Sequence, residues 1–209
     1  WNHGVEGPTT NLLIKDLRKR QQKNLLLSLL ISRGVPMLLM GDEIGRSQGG
    51  NNNSWCQNNL LGWMNWDDDQ QDLELLEYFK YVIKIRKKLR SIFNPSFFPN
   101  NPKQENIPRY HWHGTKLDSP DWSSWSHTIA FSINKGKTNP LVWIGLNAYS
   151  KSIHFPLPKC KYNWLKVIDT SASGNFEPLT INENSVLIES RSSILIISEE
   201  VFKAKNNLF

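Results

Sequence analysis

No apolar run in this sequence is long enough to cross a bilayer. The longest stretches, around Leu25 to Ile31 and Val35 to Met40, are interrupted by Ser, Arg and Gly, whereas a spanning helix needs roughly 20 predominantly apolar residues. No membrane partner is expected. Cysteine is nearly absent: Cys56 and Cys160 are the only two, far apart and without metal-ligand spacing. That excludes a disulfide framework and a thiolate metal site, and it suits a reducing compartment. Cytosol, or plastid stroma in a plant or alga, is the expected location. The opening residues lack the basic, apolar, small-residue order of a signal peptide, and because Trp1 is not a methionine the chain is expected to continue upstream. There is no internal repeat, and low complexity is confined to asparagine-rich patches.

With 39% hydrophobic and 21% charged residues, the composition is that of an ordinary globular protein. A length of 209 residues suits one large or two small domains at roughly 100–200 residues each, and two are expected. The formal charge is +6, which can signal a nucleic-acid partner. The cations gather on two expected helices, Lys15 to Lys23 and Lys84 to Arg90, where solvated faces and helix C-termini favour them. No nucleic-acid partner is expected.

Residues 9–33 read as a long helix, with Thr9 or Thr10 as cap, Leu13 and Leu17 on one face, and Gly34 as its stop. Its apolar second half, Leu25 to Ile31, is expected to be buried. Val35 to Met40 reads as a strand covered on both faces, with Pro36 at its start. A polar loop follows from Gly41 to Asn65, long enough to suggest function. A second helix is expected from about Asp69 to Arg90, acidic at its front and basic at its end. Helix, buried strand, loop, helix is the order of a parallel sheet or barrel. A proline- and asparagine-rich linker then leads to short strands at 109–113, 128–133, 141–146, 152–155, 165–168, 186–189 and 194–197, the pattern of an antiparallel sandwich.

The most specific stretch runs Trp1-Asn2-His3-Gly4-Val5-Glu6-Gly7-Pro8-Thr9, then Leu17-Arg18-Lys19-Arg20-Gln21, then Arg33 through Gly41-Asp42-Glu43-Ile44-Gly45-Arg46 to Gly50-Asn51-Asn52-Asn53-Ser54-Trp55-Cys56-Gln57. In order and spacing it resembles the isoamylase and bacterial glycogen-debranching group of the α-amylase superfamily, and Asp121-Trp122-Ser123 with Ser126 to Phe131 resembles that group's C-terminal domain. The resemblance implies an α/β plus all-β fold: residues 1–95 as the C-terminal end of a (β/α)8 TIM barrel with its last strand at 35–41, 96–108 as linker, and 109–209 as an antiparallel β-sandwich. Active sites of such barrels are built on the loops at the C-terminal ends of the strands, so Gly41 to Gln57 is expected at the rim of a substrate cleft.

The resemblance also implies retaining hydrolysis of α-1,6 branch points in glycogen, amylopectin or limit dextrin, with no cofactor. Such chemistry needs a nucleophile and an acid about 5–5.5 Å apart. Asp42 and Glu43 are the obvious pair, but neighbours on a strand point to opposite faces, and they read instead as rim residues that pair with Arg46 or cap the loop. The group's catalytic carboxylates lie on earlier strands, so no catalytic residue is assigned here and the 209 residues alone are expected to be inactive.

The candidate substrate-binding residues are Asn51, Asn52, Asn53, Trp55, Gln57 and Asn58. Neutral amides suit hydroxyl-rich ligands, and Trp1, Trp55 and Trp63 offer rings for stacking on sugar faces. Asparagine also populates turns for backbone reasons alone, and most tryptophans serve cores. His111 and His113 share a strand face, but without a third ligand they do not make a metal site. A trehalose-forming relative is disfavoured by the asparagine run. A non-catalytic glucan-binding subunit is the alternative function, and a standalone carbohydrate-binding module over 109–209 is disfavoured, because the apolar half of the first helix needs cover.

Overall fold

The computed structural model describes residues 1–66, 72–93, 108–135, 139–174 and 176–204. Helix α1 spans Leu12–Ile31. Its cap is Asn11 rather than Thr9 or Thr10: the Asn11 amide oxygen accepts from the backbone N–H groups of Leu13 and Ile14 at 3.0 and 3.4 Å, filling two of the donors a helix start leaves open. Thr9 backs the cap by accepting from Asn11 N at 3.2 Å. Helix α2 spans Leu73–Lys88, capped by the Asp72 carboxylate on Leu75 N at 2.9 Å. The more acidic start expected from Asp69 lies outside the described residues, as does the linker except for Pro108. A short helix α3, Arg90–Phe93, follows α2.

Eight strands come next: β1 Pro108–His113, β2 Thr128–Lys135, β3 Asn139–Asn147, β4 Ile153–Pro156, β5 Trp164–Asp169, β6 Leu179–Ile181, β7 Ser185–Ile188 and β8 Ser192–Ser198, with helix α4 at Glu199–Lys203. Every strand expected beyond residue 108 is present. β6 was not expected, because Leu179-Thr180-Ile181 is too short to show alternation. Among the described residues one sheet runs β1-β2-β3-β8-β5-β6 and a second pairs β4 with β7, and all pairings are antiparallel.

Alternation along β3 and β8 makes the larger sheet two-faced. On one side Trp143, Ile194 and Ile196 meet Phe155, Val186 and Ile188 of the smaller sheet. Packing there is close: a β-carbon on Gly145 would lie 2.4 Å from Ile188 Cδ1. On the other side Val142, Ile144, Leu195 and Ile197 share one core with Leu26, Leu27 and Leu30 of α1 and Leu75, Tyr78 and Val82 of α2. The molecule therefore has three layers, a helix pair, a six-stranded sheet and a two-stranded sheet, and the apolar half of α1 finds its cover inside the chain. Leu25, expected to be buried with its neighbours, is instead 70% exposed, and Leu13 is exposed as well, because both fall off the stripe that faces α2 and the sheet.

The expected buried strand at 35–41 is not formed. Residues 35–39 form no regular element and have no ladder partners, and Val35 and Met37 are 92% and 88% exposed. A strand needs a neighbour to accept its hydrogen bonds, and the described chain places none beside it.

Polar side chains fix the helix layer. Lys23 is buried on α1, yet its ammonium bonds Glu74 of α2 at 3.0 Å and the Ala172 carbonyl at 3.1 Å. Lys19 reaches Glu74 at 2.6 Å. These hydrogen bonds, from Lys19 and then Lys23, hold the Glu74 carboxyl below its usual range. Because the folded value is depressed, this stabilisation is complete above the ordinary glutamate range and disappears as pH falls through the lowered value. Glu74→Gln should cost about 2 kcal/mol near neutral pH, since it leaves a buried ammonium without its counter-charge while the lost carboxylate is itself partly exposed. It should also flatten the acid limb of stability against pH, which urea melts from pH 3 to 7 will read.

Candidate functional site

Two loops stand at the helix N-terminal side of the molecule, residues 1–8 and 41–66. The second begins with a tight reversal. Gly41 has φ 99° and caps a 3-10 turn over Asp42–Ile44, and both Ile44 N and Arg46 N donate to its carbonyl at 3.1 and 2.9 Å. A β-carbon on Gly41 would lie 2.5 Å from Arg46 Cδ, so the turn requires glycine. Glu43 accepts from Gly41 N at 2.9 Å, which is the loop-capping role expected of it. No ion pair joins Asp42 or Glu43 to Arg46 among the described residues. The Asp42 carboxyl is raised by burial first and then by the Glu43 carboxylate. The Arg46 guanidinium instead crosses the loop and donates to the Leu61 and Gly62 carbonyls, each at 2.9 Å, closing residues 41–62 into a ring.

Within that ring the asparagines act first as backbone supports. Asn51 donates to Gln57 Oε1 at 2.9 Å and accepts from Asn53 N at 2.9 Å. Asn53 accepts from Trp55 N at 3.2 Å, and Asn58 accepts from Trp63 Nε1 at 2.8 Å. The turn role expected of the asparagines is the one these bonds show: the side-chain oxygens of Asn51, Asn53, Gln57 and Asn58 all accept within the loop. Asn52 is exposed. Trp55 is 94% exposed and Trp63 half exposed. From Gly45 to Trp66 the sequence has no carboxylate. The loop can offer donors and flat aromatic surface to a hydroxyl-rich ligand, and its carboxylates, Asp42 and Glu43, are confined to its opening turn.

Loop 1–8 is held by one residue that the sequence reading quoted without a role. Arg18 of α1 donates to the Asn2 carbonyl at 2.7 and 3.0 Å, to that of Gly7 at 2.7 Å, and to that of Val5. Within the loop Asn2 bonds Glu6 at 2.9 Å, and the Glu6 carboxylate lies 4.0 Å from where a Gly50 β-carbon would stand. The two loops therefore share a border. A third arginine, Arg86 of α2, holds the exit of α1 through the carbonyls of Leu30, Ser32 and Gly34, the last two at 2.9 and 2.7 Å. The sequence signal for such residues is only an arginine on a helix face otherwise destined for a neighbour.

Of the two histidines, His113 is held by hydrogen bonds, whereas His111 Nε2 is buried without a partner among the described residues. His113 Nδ1 accepts from Asp118 N at 3.0 Å and Nε2 lies 3.1 Å from Ser132 Oγ, so both ring nitrogens are engaged. Burial pushes this imidazole down, against the pull of the Asp118 carboxylate. Among the described residues no three His, Cys, Asp or Glu side chains gather to hold a metal, and no helix is long and apolar enough to cross a membrane.

The pullulanase from Bacillus acidopullulyticus superposes with a TM-score of 0.60 at 15% identity, over 91% of this chain and 21% of that one, which shows a shared fold. Residues 111–206 match the family described as isoamylase 1-3, C-terminal. The chloroplastic isoamylase 1 of Oryza sativa subsp. japonica is 35% identical over 181 residues, 86% of this chain but 22% of the relative. The glycogen debranching enzyme of Dickeya chrysanthemi is 32% identical over 160 residues, 76% of this chain and 23% of its own length. The chain thus spans about a fifth of the length of these relatives.

Proposed function

We propose that this chain supplies the last units of a (β/α)8 barrel, within residues 1–95, and the C-terminal sandwich, within 109–209, of a debranching hydrolase. The enzyme cleaves α-1,6 branch points of glycogen, starch or limit dextrin with retention, its nucleophile and acid lying on strands upstream. The observation that carries this reading is the segment 35–40. It is apolar, pairs with no strand and leaves Val35, Met37, Leu39 and Met40 exposed, between one helix and the next, as a parallel barrel strand deprived of its neighbours would be. With those neighbours in place, loop 41–66 stands at the C-terminal end of a strand, where barrel enzymes bind substrate. Asn51, Asn52, Asn53, Gln57 and Asn58 then present amides to glucosyl hydroxyls, and Trp55 presents its ring to a pyranose face. The plastid stroma or the cytosol is the fitting place of work, in keeping with the chloroplastic relative.

Trp55→Ala in the enzyme should weaken retention by amylopectin in affinity gels about tenfold, the loss of one well-stacked ring, with the melting temperature unchanged because the side chain supports nothing. Retention equal to that of the unaltered protein would remove Trp55 from the binding surface.

A further inference from the structure

A concave site lies away from the 41–66 loop, between loop 1–8, the middle of α1 and the sheet, with a volume of about 650 Å³. Ligand sites favour such junctions between structural units. Trp1, His3, Gln21, Asn24, Asn147 and Arg191 are among its lining residues, and none of the lining side chains is acidic. Two of the three non-glycine residues with left-handed backbone, His3 at φ 57° and Arg191 at φ 49°, flank this one cleft. Strain of that kind persists where surrounding contacts enforce it, and it concentrates at functional positions. Those contacts are visible at Arg191: its carbonyl accepts from Asn24 at 2.9 Å and Gln21 at 3.2 Å, and its N–H donates to the Tyr149 carbonyl at 3.0 Å.

The hydrogen-bond inventory is one-sided. The Asn24 and Asn147 amide oxygens already accept from Thr170 Oγ1 at 2.6 Å and Tyr149 N at 3.0 Å. The Arg191 guanidinium and the His3 ring have no hydrogen-bond or ion-pair partner among the described residues. The charged side chain left in the cleft is permanently cationic and no lining carboxylate opposes it, which calls for an anionic ligand. The exposed indole of Trp1, packed edge-on to His3 with ring centroids 6.0 Å apart, adds a flat surface there.

We propose that this cleft binds a phosphate ester of a glucosyl unit, the phosphate on Arg191 and His3 and the sugar ring against Trp1. The sugar half of the assignment rests on the glucan reading above, and the anion half does not. Isothermal titration of the protein with glucose 6-phosphate, inorganic phosphate and maltotetraose tests it. Glucose 6-phosphate should bind at least about tenfold more tightly than either comparison ligand, and Arg191→Gln should weaken it by about tenfold or more, the loss of a charge-assisted pair. Arg191→Lys should keep much of the affinity. The Arg191 backbone makes the structural bonds, so the Gln variant should melt with the parent, and His3→Gln should give a second, smaller loss. Equal binding of inorganic phosphate would overturn the sugar half. No binding of either phosphate, or binding indifferent to Arg191, would overturn the proposal altogether. Branch cleavage of unphosphorylated glycogen by the chain joined to its upstream coding sequence should not respond to Arg191→Gln, so failure of the debranching reading will be seen separately.

Discussion

Replacing Leu27 with alanine will lower the unfolding free energy by about 3–5 kcal/mol, the range for emptying a fully packed leucine site. Leu27 has no exposed surface and sits in the core shared by α1, α2 and the larger sheet. Two residues earlier on the same helix, Leu25→Ala should change stability by no more than about 0.5 kcal/mol, because that side chain is mostly in solvent. Denaturant melts followed by tryptophan fluorescence and by far-ultraviolet circular dichroism read both effects. If helices and sandwich fold as one unit through this core, the two probes will give coincident transitions and Leu27→Ala will move both. A loss confined to the helical signal would mean that the layers are energetically separate.

Arg18→Ala carries the largest effect expected on activity. Its guanidinium gathers the carbonyls of Asn2, Val5 and Gly7, so its removal frees the loop bordering the asparagine-rich ring. A displacement of about 1 Å among substrate-positioning groups can cost roughly 100-fold in rate, and kcat/KM on amylopectin should fall by that order. Most of the loss should appear in kcat if the loop places substrate for reaction, with hydrogen exchange in residues 1–8 accelerated and the global melt little altered. Unchanged kcat with accelerated exchange would show that the loop lies outside the substrate path.

The sandwich was legible because its strands carry period-two alternation and short turn-rich joints, and each of β1 to β5, β7 and β8 was visible on that ground. The helices were legible for a different reason, their apolar stripes and terminal charges. What could not be read was tertiary. That the leucines of α1 pack on Ile144 and Leu195 follows from neither periodicity nor propensity, and Val35 to Met40 has the composition of a covered strand whether or not its neighbours are present. The same limit applied at the candidate site. Asparagine types foretold a turn-rich, amide-rich loop, but not that Arg46 would close it through Leu61 and Gly62. Arg191 gave no local signal at all, since its distinction lies in backbone conformation and in the absence of a partner.

The most direct test of the central claim compares two proteins on amylopectin: this 209-residue chain alone, and the same chain joined to its upstream coding sequence, each assayed for release of linear glucan chains. The longer protein should release chains and the shorter should release none, because the proposed function gives the loop at 41–66 a binding role and places the reacting carboxylates upstream. Release by the shorter chain would contradict this account. Binding without release by the longer one would move the function to a non-catalytic glucan-binding subunit.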